Sequence, residues 1–133
     1  MTVATLEGSR VTDITSFYDE VNRVLMRNET WQLGESLDAL NDLLYGGFGL
    51  MAHRDEAGDS LTVIWRDHHV SREALGFEAT RAWYEQKLAR PGTFDVSGIQ
   101  RRLDDLLAGT GPTYFELVLE VFADHPDITL DLA

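Results

Sequence analysis

Three short apolar runs, far apart in the chain and separated by amphipathic helices, constrain this sequence more than any other feature. Val3–Leu6 ends at Glu7-Gly8-Ser9, and Ser60–Arg66 (SLTVIWR) is rich in β-branched and aromatic residues. Near the other end, Ile128, Leu130 and Leu132 alternate with Thr129 and Asp131. Each run reads as a strand. Strands joined through helices need crossover connections, and those are right-handed and produce parallel pairing. The expected fold is therefore α/β, a small three-stranded parallel sheet with helices mainly on one face. At 133 residues the chain suits a single domain, 1–133, burying about two-thirds of its unfolded surface.

The helices between the strands are read from periodicity and caps. Phe17, Val21, Val24 and Leu25 recur at helical spacing, with Thr15 or Ser16 as the expected cap and Glu20 as a solvent-facing acid. Leu33, Leu37, Leu40 and Leu44 form a second stripe. That helix is expected from about Glu35 to Tyr45, closed by Gly46-Gly47. Residues 47–59 read as a loop. Ser71 is expected to cap a short turn ending at Gly76, and Glu78–Ala89 to form a helix stopped by Pro91-Gly92. A capping-box spacing at Ser97–Gln100 predicts a helix that buries Ile99, Leu103, Leu106 and Leu107. The same spacing at Thr113–Glu116 predicts one presenting Leu117, Val118, Val121 and Phe122. Trp65 and Trp83 read as core.

Much chemistry is excluded by what is missing. Cysteine is absent, so there is no disulfide framework and no thiolate. No apolar run approaches the ~20 residues of a membrane span. The opening MTVATLEGSR lacks the basic start and apolar core of a secretion signal, which points to the cytoplasm. His53, Asp67, His68 and His69 have no metal-ligand spacing. No nucleophile elbow or phosphate cradle occurs, so no metal, cofactor or catalytic activity is expected. Asp38 and Asp42, one turn apart, resemble a catalytic carboxylate pair, but no base or aromatic platform accompanies them.

Charge carries the functional signal. The net charge is −12, and it is uneven: residues 1–50 hold −5, residues 51–102 are neutral, and residues 103–133 hold −7. Such a surface repels phosphate backbones, which argues against direct nucleic-acid binding, and attracts a basic protein. It also serves solubility. Residues 31–47, WQLGESLDALNDLLYGG, place Glu35, Asp38 and Asp42 opposite the leucine stripe, with no Lys or Arg from Asn28 to His53. Exposed helices usually interleave charges. Asp42 falls in the last turn, where the helix dipole disfavours an anion by about 0.3–1 kcal/mol. A demand other than helix stability is expected to have placed these acids, and Asp42 above all.

Gly34–Leu44 (GESLDALNDLL) closely resembles the G-x-N-L-D-A-L-x-D-x-L stretch of the barstar family, small acidic inhibitors of bacterial ribonucleases. Val3–Leu25 looks like that family's first strand and helix, Leu61–Trp65 like its second strand, and Val118–Leu132 like its final helix and strand. The segment at about 70–112 looks like an insertion in a longer member. The resemblance implies a 1:1 complex with a basic microbial ribonuclease whose active site is plugged by this helix and the loop before it. Carried over residue by residue, Asp42 takes the place of a substrate phosphate and Asp38 flanks it. Gln32, Glu35, Asn41, Tyr45 and Gly46 surround them, and Asp124 is a third acidic contact. An ionised carboxylate accepts paired hydrogen bonds from a guanidinium as a phosphate does. Three departures stand out: Asn41 where the family often has tryptophan, Gln32 and Leu33 where an aromatic precedes the glycine, and Ser36 for the usual asparagine. Missing aromatics remove typical interface anchors. Two alternatives remain open: an immunity protein against a toxin that is not a ribonuclease, and a scaffold that has lost inhibition.

Overall fold

The computed structural model describes residues 2–52, 60–90, 92 and 95–133. Its elements are β1 (Thr2–Glu7), α1 (Ile14–Leu25), α2 (Leu37–Tyr45), β2 (Leu61–Arg66), α3 (His68–Ala74), α4 (Phe77–Leu88), α5 (Val96–Leu107), α6 (Tyr114–Ala123) and β3 (Ile128–Leu132). Short 3-10 turns at Gly8–Arg10 and Gly49–Met51 complete them. The three strands form one sheet in the order β1-β2-β3, and both pairings are parallel. The fold is α/β with a small three-stranded parallel sheet, as the strand and helix order predicts.

Register puts the apolar residues on one face. Leu6 lies opposite Trp65 and Ala4 opposite Val63, while Leu61 faces Ile128 across the other pairing. All six are buried. The alternate residues Val3, Thr5, Thr62, Ile64, Thr129 and Asp131 are half-buried or exposed. A parallel sheet is usually covered on both faces; among the described residues only one face of this sheet is fully buried. Trp65 lies at its centre, ring-stacked on Phe17 of α1 at 5.6 Å and against Phe115 of α6 at 5.2 Å. Trp83 is only half-buried and joins this core to a smaller one of Tyr84, Leu103 and Leu106 between α4 and α5. Gly8 permits the closest backbone approach: a Cβ there would come within 2.4 Å of the Arg66 and Asp67 carbonyl oxygens.

Several local expectations fail for physical reasons. α1 is capped by Asp13, whose carboxylate accepts the Ser16 N–H at 2.7 Å while Ser16 Oγ accepts the Asp13 N–H at 2.9 Å. Ser16 is thus the third helical residue of a capping box, not the cap. Ser71 lies inside α3, fully buried, where it accepts from Trp65 Nε1 and donates to the Gly8 carbonyl. α5 is capped by Asp95, two residues before the expected cap Ser97, and starts at Val96. Leu107 is 55% exposed, because α5 buries Leu103 and Leu106 instead. Glu20 is 3% exposed, not solvent-facing. It accepts the Glu7 N–H at 2.7 Å and two bonds from Arg23 at 2.7 and 2.6 Å, with Arg10 at 3.4 Å. Burial pushes its carboxyl up, but Arg23, the Glu7 amide and Arg10 outweigh burial and hold it below its usual value. The Thr113–Glu116 box stands as expected. Most of the expected 47–59 loop and the Pro91 helix stop lie outside the described residues, as does His53.

Candidate functional site on helix α2

α2 is nine residues long, about 13 Å, and too short to be stable alone. It persists because Leu40, Leu43 and Leu44 are fully buried, each worth roughly 1.5–3 kcal/mol. The Ser36 hydroxyl caps its start by accepting the Ala39 N–H at 3.0 Å. Gly46, at φ 100°, ends it. The helix therefore begins two residues later than its acidic pattern suggests, and neither Leu33 nor Glu35 is helical. Leu33 belongs to the preceding loop, buried and fixed by its N–H bond to Asn22 Oδ1 at 2.6 Å. Its helical spacing to Leu37 is coincidental.

The predicted site residues divide into groups. Asn41, Asp42, Tyr45 and Gly46 share the C-terminal end of α2. Asp42 is exposed, and no described cation pairs with it. Tyr45 is 65% exposed. Asp124, the exposed C-cap of α6, immediately precedes His125, which packs on this end of α2. These residues come together.

Glu35 and Asp38 belong to the other end. They line a cleft of about 770 Å³ whose far wall, from α4, the turn after it and α5, carries Lys87, Arg90 and Arg102. Glu35 also accepts a hydrogen bond from the Thr15 hydroxyl at 2.9 Å. Lys87 Nζ lies 3.8 Å from the Trp83 ring centroid. Burial, then the Arg102 charge, push the Lys87 ammonium pKa down, and Asp38 works against them. The acids that lack a basic neighbour in sequence thus share a cleft with basic residues, and Lys87 feels the charge of Asp38. Gln32 is exposed on a separate groove beside α1, with Asn22, Thr30 and Trp31. Trp31, 47% exposed, rests against Phe48 at 5.0 Å and supplies an aromatic surface one residue before Gln32.

The family model described as Barstar (barnase inhibitor) matches residues 1–90. The chain belongs to the barstar family. No curated protein matches it. The match spans β1 through α4, including all of α2, whereas α5, α6 and β3 of this barstar-family chain lie beyond it. Two features of its site escaped sequence reasoning. The basic wall opposite Asp38 arises from contacts some fifty residues away and leaves no local trace. His125 was open to notice as a lone histidine in a short helix-to-strand connection. Among the described residues no group of three or more His, Asp or Glu is arranged to hold a metal, and no helix is long and apolar enough to cross a membrane.

Proposed function

We propose that this chain is a stoichiometric inhibitor of a basic microbial ribonuclease, and that it occludes the nuclease active site with α2 and its preceding loop. The observation that carries the reading is the C-terminal end of α2 in a barstar-family chain. There an exposed carboxylate, Asp42, is flanked by the exposed Tyr45 ring and has no described cation beside it. In a nuclease active site the Asp42 carboxylate takes the place of the substrate phosphate and accepts paired hydrogen bonds from arginine or histidine. Asp124 adds negative charge from the neighbouring turn, and Trp31 and Tyr45 supply the aromatic contact that Gln32 and Asn41 do not. The complex is one-to-one and involves neither RNA nor membrane. Its cytoplasmic role is to guard the producing cell's own RNA.

Two features favour a nuclease unlike the family's usual partner: Asn41, tied inward to His125, and the basic wall facing Asp38. A second reading, an immunity protein against a toxin that is not a ribonuclease, draws on the same observations.

Titration of small basic ribonucleases, starting with any encoded beside this gene, against wild type and Asp42→Ala tests the proposal. Inhibition that saturates at one-to-one and disappears in the mutant is expected. Inhibition retained by Asp42→Ala would rule out the plug. No inhibition of any ribonuclease would favour the second reading.

A further inference from the structure

A single side chain links the turn between α6 and β3 to the binding end of α2. His125 is 3% exposed. Its Nε2 lies 2.7 Å from Asn41 Oδ1. A carbonyl oxygen only accepts, so Nε2 carries the hydrogen and donates it. The same imidazole meets the Tyr45 ring edge-on, with centroids 4.6 Å apart and planes at 84°. The main chain fixes the histidine on both sides. Its own N–H donates to the Phe122 carbonyl at 3.0 Å, and its carbonyl accepts the Ile128 N–H at 3.0 Å. One bond belongs to the end of α6 and the other to the start of β3.

Asn41 and Tyr45 are four residues apart, hence neighbours on one side of the helix, and Asp42 lies between them in the chain. A half-buried amide and a mostly exposed phenol at a helix end would each sample several rotamers if nothing held them. Both are held by the same rigid ring. Side chains ordered before binding do not have to be ordered by the partner, and ordering of this kind strengthens a complex without adding a contact to it.

We propose that His125 is a positioning residue: it orders Asn41 and Tyr45 around Asp42 in the free protein, so that a partner meets a fixed face. This role for the interface rests on the inhibitory reading above; the ordering itself does not. His125 donates one hydrogen bond and offers one ring edge, and the two functions separate by substitution. His125→Gln keeps a donor near the Nε2 position for Asn41 and loses the ring. His125→Phe keeps a ring for Tyr45 and loses the donor. His125→Ala loses both.

The experiment has two arms. In the first, association and dissociation rates are measured against the inhibited ribonuclease. His125→Ala is expected to speed dissociation about tenfold while association, steered by Asp42, stays within about twofold. His125→Gln and His125→Phe each recover part of the loss. In an Asn41→Ala background the advantage of Gln disappears and that of Phe persists. A histidine that merely stabilised the fold would lower the active fraction and leave the dissociation rate of the formed complex unchanged. That outcome, or independent effects of His125→Ala and Asn41→Ala, overturns the proposal.

The second arm needs no partner. In NMR spectra of the free protein the Tyr45 ring and Asn41 side-chain amide signals are expected to move toward random-coil positions in His125→Ala. Signals that stay in place overturn the ordering whether or not a nuclease is ever bound. Signals that move in a protein that inhibits no ribonuclease uphold the ordering and overturn the inhibitory reading alone.

Discussion

The two ends of α2 carry the same kind of charge in opposite circumstances. At the start, Glu35 and Asp38 face Lys87, Arg90 and Arg102 across a cleft, and Glu35 also holds the Thr15 hydroxyl. At the end, Asp42 stands exposed beside Tyr45 and no described cation pairs with it. An acid in the first turn is favoured by the helix dipole and one in the last turn is opposed by it. Asp38 is therefore comfortable in the free protein, both locally and across the cleft, while Asp42 is comfortable in neither sense. A basic partner gains most where the free protein has offset least. The difference between the ends predicts that binding energy is concentrated at the C-terminal one.

The largest test of that contrast is Asp42→Ala. Truncating one member of a desolvated, hydrogen-bonded charge pair costs about 2–5 kcal/mol, so the inhibition constant is expected to rise at least about 30-fold, read by RNA cleavage. Asp38→Ala is expected to cost far less, because the helix dipole and the basic charge across the cleft already offset the Asp38 carboxylate in the free protein. Asp131→Ala, an exposed acid on the open face of the sheet, is the control. Equal losses at Asp38 and Asp42 would abolish the asymmetry.

Glu20 sharpens the comparison from the fold's side, as an acid that is buried and fully partnered. Its folded pKa lies below its ordinary 4.5, so in the native state it binds fewer protons than in the unfolded chain at acid pH. The stability it contributes is present above about pH 4.5 and is lost as the pH falls through the lowered value. Denaturant midpoints should therefore decline below that pH in wild type. In Glu20→Gln the unfolding free energy should start lower, by about 1–3 kcal/mol, and the midpoints should decline less steeply. Inhibition by refolded Glu20→Gln at neutral pH should match wild type; a weakened complex would mean that Glu20 touches the partner.

Ser36→Ala addresses the start of the helix alone. Loss of a serine cap typically costs about 1 kcal/mol, seen as a lower unfolding midpoint. Dissociation of the complex should change little if binding is concentrated six residues further on, at Asp42.

How much of this was legible in the sequence varied with the range of the interaction involved. The strands, their parallel pairing and the leucine face of α2 follow from local patterns that no distant contact overrides. The Thr113–Glu116 box was legible because both partners lie within four residues. The start of α1 was misread because Asp13 and Ser16 each fit a cap and only their mutual geometry decides. Leu33 fell into helical register by accident, its burial arranged by Asn22, eleven residues back. Glu20 was misread for the same kind of reason: its partners include the amide of Glu7 and the side chain of Arg10, on another element. The acidic face of the candidate site could be read directly, whereas the histidine that fixes its neighbours and the basic wall opposite Asp38 exist only once the chain has folded.

The smallest expected effect probes the basic wall itself. Arg90 and Arg102 are exposed, so replacing both with glutamine removes charge with little loss of buried surface, and glutamine keeps a polar group beside Tyr84 at position 102. On the proposed reading, a basic nuclease approaching α2 would be attracted by Asp42 and Asp124 and repelled by these guanidiniums, and approach rates follow the summed field over distances near the Debye length. Removing two positive charges should therefore raise the association rate, by about two- to threefold at low ionic strength. The gain should shrink toward nothing as salt approaches 1 M, where the screening length falls to about 3 Å. Dissociation should not change, since the wall makes no contact in a complex centred on Asp42. A slower association would reverse the picture: the wall would then be receiving an acidic part of the partner, and the two ends of α2 would be two halves of one bipolar interface.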